Sequence, residues 1–327
     1  MLVVAYKNVQ SAIVCCCAFL FFPSCFTSND LTIDERNVYF HFQPNTRTMI
    51  NFPAVIDVHK PTQLIIYALP NGNSIEMTAG KKFNKGMDWH FDIQHIAAQT
   101  RFIRREITDR NIVVAYVESE EKSWPAWRQK FSDNAAHIAR IVNYIRFETG
   151  NPVDVTLSAH SGGGSFITGF INAFDSIPNF ITRIAYLDAN YSFDDSLQHG
   201  KKLFHWLQGD TTRTLMVIAY DDREIMLNGK KIVGRAGGTF RATQRMIQSF
   251  ALRTELISRQ DSTLRIFSTF DDRARFIIHT NPDTLILHTV LVERNGFIHA
   301  ILANTPYEEK NYTFFGNRAY SSLISEN

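Results

Sequence analysis

One corner limits what this chain can fold into. Val153, Val155 and Leu157 alternate with Asp154, Thr156 and Ser158 as far as the small Ala159, which is the two-residue period of a short strand. The alternation breaks at Ser161, set between His160 and Gly162, and Phe166, Phe170, Ile171 and Phe174 then follow at helical spacing. A strand that becomes a helix within a few residues drives the residue at the bend toward a left-handed backbone, which crowds its neighbours. Ala159 and Gly163, two positions to either side, relieve that crowding. The bend also lifts the Ser161 hydroxyl clear of the backbone. It places the hydroxyl at the positive end of the following helix, where unpaired N–H groups can meet an oxyanion. Acyl transfer needs this arrangement, although a glycine-rich turn without chemistry has the same five letters.

The run Ala159-His160-Ser161-Gly162-Gly163 resembles the nucleophile elbow of the α/β-hydrolase superfamily, with alanine in place of the first glycine of G-x-S-x-G. The resemblance implies an α/β fold with a mostly parallel, twisted central sheet and helices on both faces. The order of elements agrees. Alternating or apolar runs at 37–43, 52–59, 62–69 and 111–117 read as strands, and a helix over 132–148 ends at Gly150 before the corner strand. Further strands are expected at 181–187 and 213–219, a helix at 240–256, an extra strand pair at 263–270 and 275–279, and the last core strand at 284–292. Strand, helix and strand in succession argue for parallel crossovers. The short interval between 187 and 213 leaves no room for a large cap domain.

A serine hydroxyl needs a base within hydrogen-bond reach and a third group to orient that base. The resemblance implies the chain order Ser, then Asp or Glu after the next-to-last core strand, then His after the last one. On that reading Ser161 is the nucleophile and His299, after the Asn295-Gly296 turn, is the base. His288 falls inside the expected strand and His279 before it. Asp222 is the expected acid, with Asp221 beside it and Asp188, after the preceding strand, as a third position. The oxyanion hole would combine the Gly162 N–H with that of Gly72 or Asn73, in the loop after the third strand. Trp89, His90 and Trp124 are expected along the substrate cleft, Trp124 serving equally well as a packing anchor. His90 and His95 fit no familiar zinc spacing, so neither a metal nor another cofactor is expected. The implied reaction is hydrolysis of a carboxylic ester or an amide through an acyl-enzyme. A binding protein that kept the scaffold, a peptidase and an acyltransferase are the competing readings.

The N-terminus is of a different character. Lys7 precedes an apolar run from Ala12 to Phe22, too short to cross a bilayer and of the right length for the core of a secretion signal. All four cysteines, Cys15, Cys16, Cys17 and Cys25, lie in or beside it. Phe22-Pro23-Ser24-Cys25 is similar to a degenerate bacterial lipoprotein cleavage box. The expected organisation is a signal peptide over 1–25, a short linker over 26–35 and a single domain over 36–327. The product would be exported, either secreted or held as a periplasmic or outer-membrane lipoprotein by a lipid on Cys25. A formal charge of +2 with no basic block argues against nucleic acid as a partner, leaving a small-molecule, ester or peptide substrate.

Overall fold

Strand β3 (Thr62–Ala68) carries apolar residues on both of its faces. Leu64, Ile66 and Ala68 belong to one core, while Ile65, Tyr67 and the following Leu69 belong to another. Such a strand is stable only in a sheet covered on both sides. The computed structural model, which describes residues 35–150 and 153–326, has that architecture. The expected signal peptide and Cys25 lie outside the described residues.

The sheet has ten strands in the order β1-β2-β4-β3-β5-β6-β7-β12-β11-β10. Besides β3, its members are β1 (Glu35–Phe42), β2 (Thr46–Pro53), β4 (Asn111–Ser119), β5 (Val153–His160), β6 (Ile181–Leu187), β7 (Thr214–Tyr220), β10 (Ile257–Gln260), β11 (Leu264–Thr269) and β12 (Ala274–His279). β4, β3, β5, β6, β7 and β12 run parallel, and antiparallel strands extend the sheet at both edges. A two-stranded hairpin, β8 (Met226–Leu227) with β9 (Lys230–Lys231), stands apart from it.

One face is covered by α3 (Trp124–Lys130), α4 (Asn134–Glu148), α5 (Gly164–Asn172), α6 (His199–Gln208) and α7 (Thr239–Ala251). The other is covered by α1 (Ile75–Ala79), α2 (Ile96–Glu106), α8 (Val290–Glu293) and α9 (Gly296–Leu302). The expected fold class therefore holds, and between β6 and β7 there are only short helical turns and α6.

Two strand expectations do not hold. The second strand is 46–53 rather than 52–59. Its ladder with β1 ends at Pro53, and the apolar residues beyond it, Val55 and Val58, project into water ahead of a turn closed by the Asn111 side chain. Residues 284–292 form no strand. The run Thr284–Val292 follows Pro282, leaves Leu285 and Ile286 exposed, and winds into α8. The last parallel position is taken instead by β12, which pairs with β7 over six residues.

Because β3 leads to β4 on one side and the chain then returns to β5 on the other, the strand order reverses between β3 and β5. Connections leaving neighbouring strands in opposite directions open a crevice at their carboxyl ends, where ligands bind in such sheets. The loops after β3, β5, β6, β7 and β12 all emerge at this edge.

Leu157, fully buried in the middle of β5, anchors that edge. Leu157→Ala is expected to cost about 2–5 kcal/mol, the range for a buried leucine that leaves a cavity. The loss should be read as a lower urea midpoint at unchanged slope.

Candidate active site

Ser161 directly follows β5 with φ at 54°, the left-handed conformation that the sequence pattern requires. Very close packing makes this corner possible. A methyl group on Gly163 would lie 2.2 Å from the Ala68 carbonyl oxygen, and one on Gly164 would lie 1.6 Å from that of Ala189. Only hydrogen at these positions lets the turn into α5 sit against the ends of β3 and β6. Gly162 and Gly163 open this helical turn, so their N–H groups are the ones a helix leaves unpaired.

His160, just before the corner, is buried, and its Nε2–H donates to the His288 carbonyl at 3.0 Å. That bond fixes the tautomer and leaves Nδ1 bare. Burial, with His288 next to it, pushes the His160 pKa well down and keeps the ring neutral. The two imidazoles lie 4.5 Å apart, centre to centre. His288 is thereby held next to the residue that precedes Ser161.

The His288 ring is oriented by Asp188, which follows β6 and is itself in a left-handed turn at φ 47°. Its Oδ2 lies 2.5 Å from His288 Nδ1. Nδ1 then carries the proton that faces the carboxylate, and Nε2 is the nitrogen open to take another. Asp188 is fully buried, and its second oxygen accepts from the Thr239 hydroxyl. Asp222, after β7, lies on the other side of Thr239 and accepts from its N–H at 2.7 Å. Burial, and then the nearby Asp188 charge, raise the Asp222 pKa to about 6.

The structure sets the expected base and acid in surroundings of their own, apart from the His160–His288 pair at the corner. His299 sits in α9. Its ring stacks on Phe314 at 4.5 Å, and its Nδ1 is 3.2 Å from the Tyr312 hydroxyl. Carbonyls of the same helix accept from Arg183, near the amino end of β6, whereas Ser161 stands past the carboxyl end of β5. His299 is therefore turned toward the opposite end of the sheet. Burial pushes its pKa down as well. Asp222 lies near the site but bonds Thr239, and Asp221 pairs with Arg223 at 2.6 Å. The histidine packed against His160 is His288, and its carboxylate partner is Asp188. His288 follows the last core strand once β12 is taken as that strand.

The N–H groups expected as the second oxyanion donor already have acceptors. The Gly72 N–H is bonded to the Lys122 carbonyl at 2.8 Å, and the Asn73 N–H closes its own turn on Pro70. The Asn71 N–H has no acceptor among the described residues. Its side chain reaches the Gly162 backbone so closely that a methyl on Gly162 would meet Asn71 Oδ1 at 2.0 Å. Asn71 also lines, with Pro125, Ser165, Ala189, Tyr191 and Ser192, a cavity of about 290 Å³ at Ser161.

Of the expected cleft residues, Trp124 is buried at the start of α3, its Nε1–H donating to the Val117 carbonyl at 3.3 Å, and it packs edge-on against Trp127 and Phe166. Trp89 is exposed and stacks on His90 at 3.9 Å, His90 being held by Asp88. None of the three lines the cavity at Ser161. No group of residues able to hold a metal ion occurs among the described residues. A larger cleft, lined by Lys202 and Arg213 among others, contains none of Ser161, His288 and Asp188.

A serine at a left-handed strand-to-helix corner, in a sheet ordered 1-2-4-3-5-6-7 before its final strands, defines the α/β-hydrolase fold. No family model and no curated protein matches the chain. Among solved structures it is similar to a thermostable esterase, at 11% identity and a TM-score of 0.44 over 76% of this chain and 55% of the other. A feruloyl esterase module from Clostridium thermocellum, complexed with sinapinate, gives 11% identity and a TM-score of 0.42 over 77% and 83%. A predicted CIB-like hydrolase from Thermoplasma acidophilum gives 9% and 0.42 over 81% and 93%. The chain spans just over half the length of the first of these. With likenesses this distant, the fold assignment rests on the sheet order and the corner.

The raised Asp222 pKa has a thermodynamic sign. The native chain holds this proton to higher pH than the unfolded chain does, so ionising Asp222 lowers stability as pH rises from about 4 to about 6. Above that window the loss is complete, and below it there is none. Asn cannot ionise and keeps an oxygen for the Thr239 N–H. Relative to the parent protein, Asp222→Asn should therefore gain stability across this window, measured as urea midpoints in a pH series.

Proposed function

We propose that the protein is a serine hydrolase that cleaves carboxylic esters through an acyl-enzyme. The observation that carries this reading is the Asp188–His288 pair, which leaves Nε2 of the imidazole open while His160 ties the same residue to the nucleophile corner. His288 Nε2 takes the Ser161 proton as Oγ attacks the carbonyl carbon. The resulting oxyanion is met by the Gly162 and Asn71 N–H groups. The imidazolium, stabilised by the Asp188 carboxylate, gives its proton to the departing alcohol, and an acyl group stays on Oγ. Water, deprotonated by the same His288, then attacks the acyl carbon, and Ser161 recovers its proton as the acid leaves. Each missing oxyanion donor costs roughly 3 kcal/mol in sites of this type. The cavity of about 290 Å³ suits a compact acyl group.

Labelling by a fluorophosphonate and turnover of a soluble p-nitrophenyl ester test the assignment. Ser161→Ala should abolish the label. His288→Ala should lower kcat/KM by about a thousandfold or more, because removing the base of a triad leaves only binding and the oxyanion hole. His299→Ala should keep turnover within about threefold while lowering the melting temperature, as a packing residue does. A label retained on Ser161→Ala, or a rate loss in His299→Ala matching that of His288→Ala, would reject the triad.

A further inference from the structure

The segment between Asp222 and Gly238 leaves the site and returns to it through a narrow neck. Gly238, at φ 90°, is pressed so closely on Asp222 that a methyl would lie 2.5 Å from its carboxylate oxygens, and the next residue bonds that carboxylate. Above the neck stands the β8–β9 hairpin. Its large apolar side chains are turned outward: Met226 is 50% exposed, Leu227 54% and Ile232 47%. The neighbouring loop, which leads to His288, adds Leu285 at 55% and Ile286 at 40%.

The two segments are joined. Asn281 Nδ2 donates to the Asp221 carbonyl and to the Leu285 carbonyl, both at 2.9 Å, and Ile225, Val233 and Leu287 share one core beneath them. The hairpin is braced as well, since Arg241 donates to the Gly234 and Gly237 carbonyls and the Ile232 N–H to the Ile225 carbonyl. Its apolar tips are therefore displayed by a supported element.

Charge accompanies the apolar residues. Residues 223–235 contain Arg223, Lys230, Lys231 and Arg235 against Glu224 alone, a net +3. Arg223 is paired with Asp221 and Lys231 with Glu224, while Lys230 and Arg235 have no carboxylate partner among the described residues. Asp221 and Asp222, just before the segment, and Asp283, on the adjoining loop, are nearby acids, and counting the first two makes residues 221–235 a net +1. Exposed apolar side chains flanked by unpaired cations match a surface that offers hydrocarbon behind negative headgroups.

We infer that the β8–β9 hairpin, with Leu285 and Ile286, docks on an anionic lipid bilayer and sets the Ser161 cavity against it. This rests on the ester-hydrolase reading for the substrate class it names, an ester carried by a lipid-phase molecule. The docking surface itself does not depend on that reading.

Sedimentation of the full chain with phosphatidylcholine vesicles, and with vesicles mixed with phosphatidylglycerol, tests this. The protein should bind the mixed vesicles, bind the zwitterionic ones at least about tenfold less tightly, and release the former in high salt. The combined Met226→Ser, Leu227→Ser and Ile232→Ser variant should lose at least about tenfold in vesicle affinity, with an unchanged melting temperature as the control for folding. Ser161→Ala should bind vesicles as the parent does. Vesicle binding in a protein whose fluorophosphonate labelling has failed would thus keep the surface and reject the chemistry. Labelling without any vesicle binding, full binding by the triple serine variant, or binding indifferent to headgroup charge and salt would overturn the inference. A lipid-free dimer that the triple variant dissolves would also overturn it, by naming a second copy as the occupant.

Discussion

The left-handed turn at Ser161 is the constraint to which the rest of this structure answers. A serine at φ 54° is strained, and such a residue persists only where its surroundings over-determine it. Here they do so from three sides. β5 is held by parallel ladders to β3 and β6, so the strand cannot shift to relax its end. The Ala68 and Ala189 carbonyls close on Gly163 and Gly164, and Asn71 closes on Gly162. The strain is thus borne by the middle of a doubly covered sheet, the part of such a fold with the most buried apolar area behind it.

Around that corner the fold buries polar groups in a specific pattern. Asp188 is fully enclosed, and a buried carboxylate is tolerable only with partners. It has two, His288 on one oxygen and the Thr239 hydroxyl on the other. Asp222 is nearby with a weaker set. Its Oδ1 has no partner among the described residues, and its carboxyl holds a proton to higher pH. Two acids at the ends of adjacent strands are thereby made unlike each other by their surroundings. One is fitted to stabilise a cation, and the other is kept closer to neutral so that the pair need not carry two adjacent charges.

Much of this was legible in the residues. The period of two before Ser161 and the helical spacing after it placed the corner at Ser161. The covered strands β3, β4, β6 and β7 were readable because apolar residues occupy both of their faces. The strand expected at 284–292, on which the choice of His299 leaned, is absent for a physical reason. Thr284–Val292 has the composition of a buried strand, but composition does not say whether a sheet position is vacant, and β12 already fills it. Once that run is a loop and a short helix, His288 becomes a residue after the last strand and His299 a packed helical one. Asp188 was harder to read, because Asp222 lies at the more usual strand and no local pattern shows that Asp188 faces an imidazole 100 residues further on. The choice between Asn71 and Gly72 as donor turns on a single bond from Gly72 to Lys122, which no local pattern announces.

The neck formed by Gly238 and Asp222 has a consequence for how such a protein can change over time. Its two sides are pinned by a contact that tolerates no side chain and by one backbone bond, while the segment beyond them meets water over most of its length. Lengthening, shortening or recharging that segment leaves the pinned residues where they are. The exposed segment can therefore drift in length, charge and apolarity independently of the corner at Ser161, and a transplanted hairpin would give the same scaffold a different outer surface.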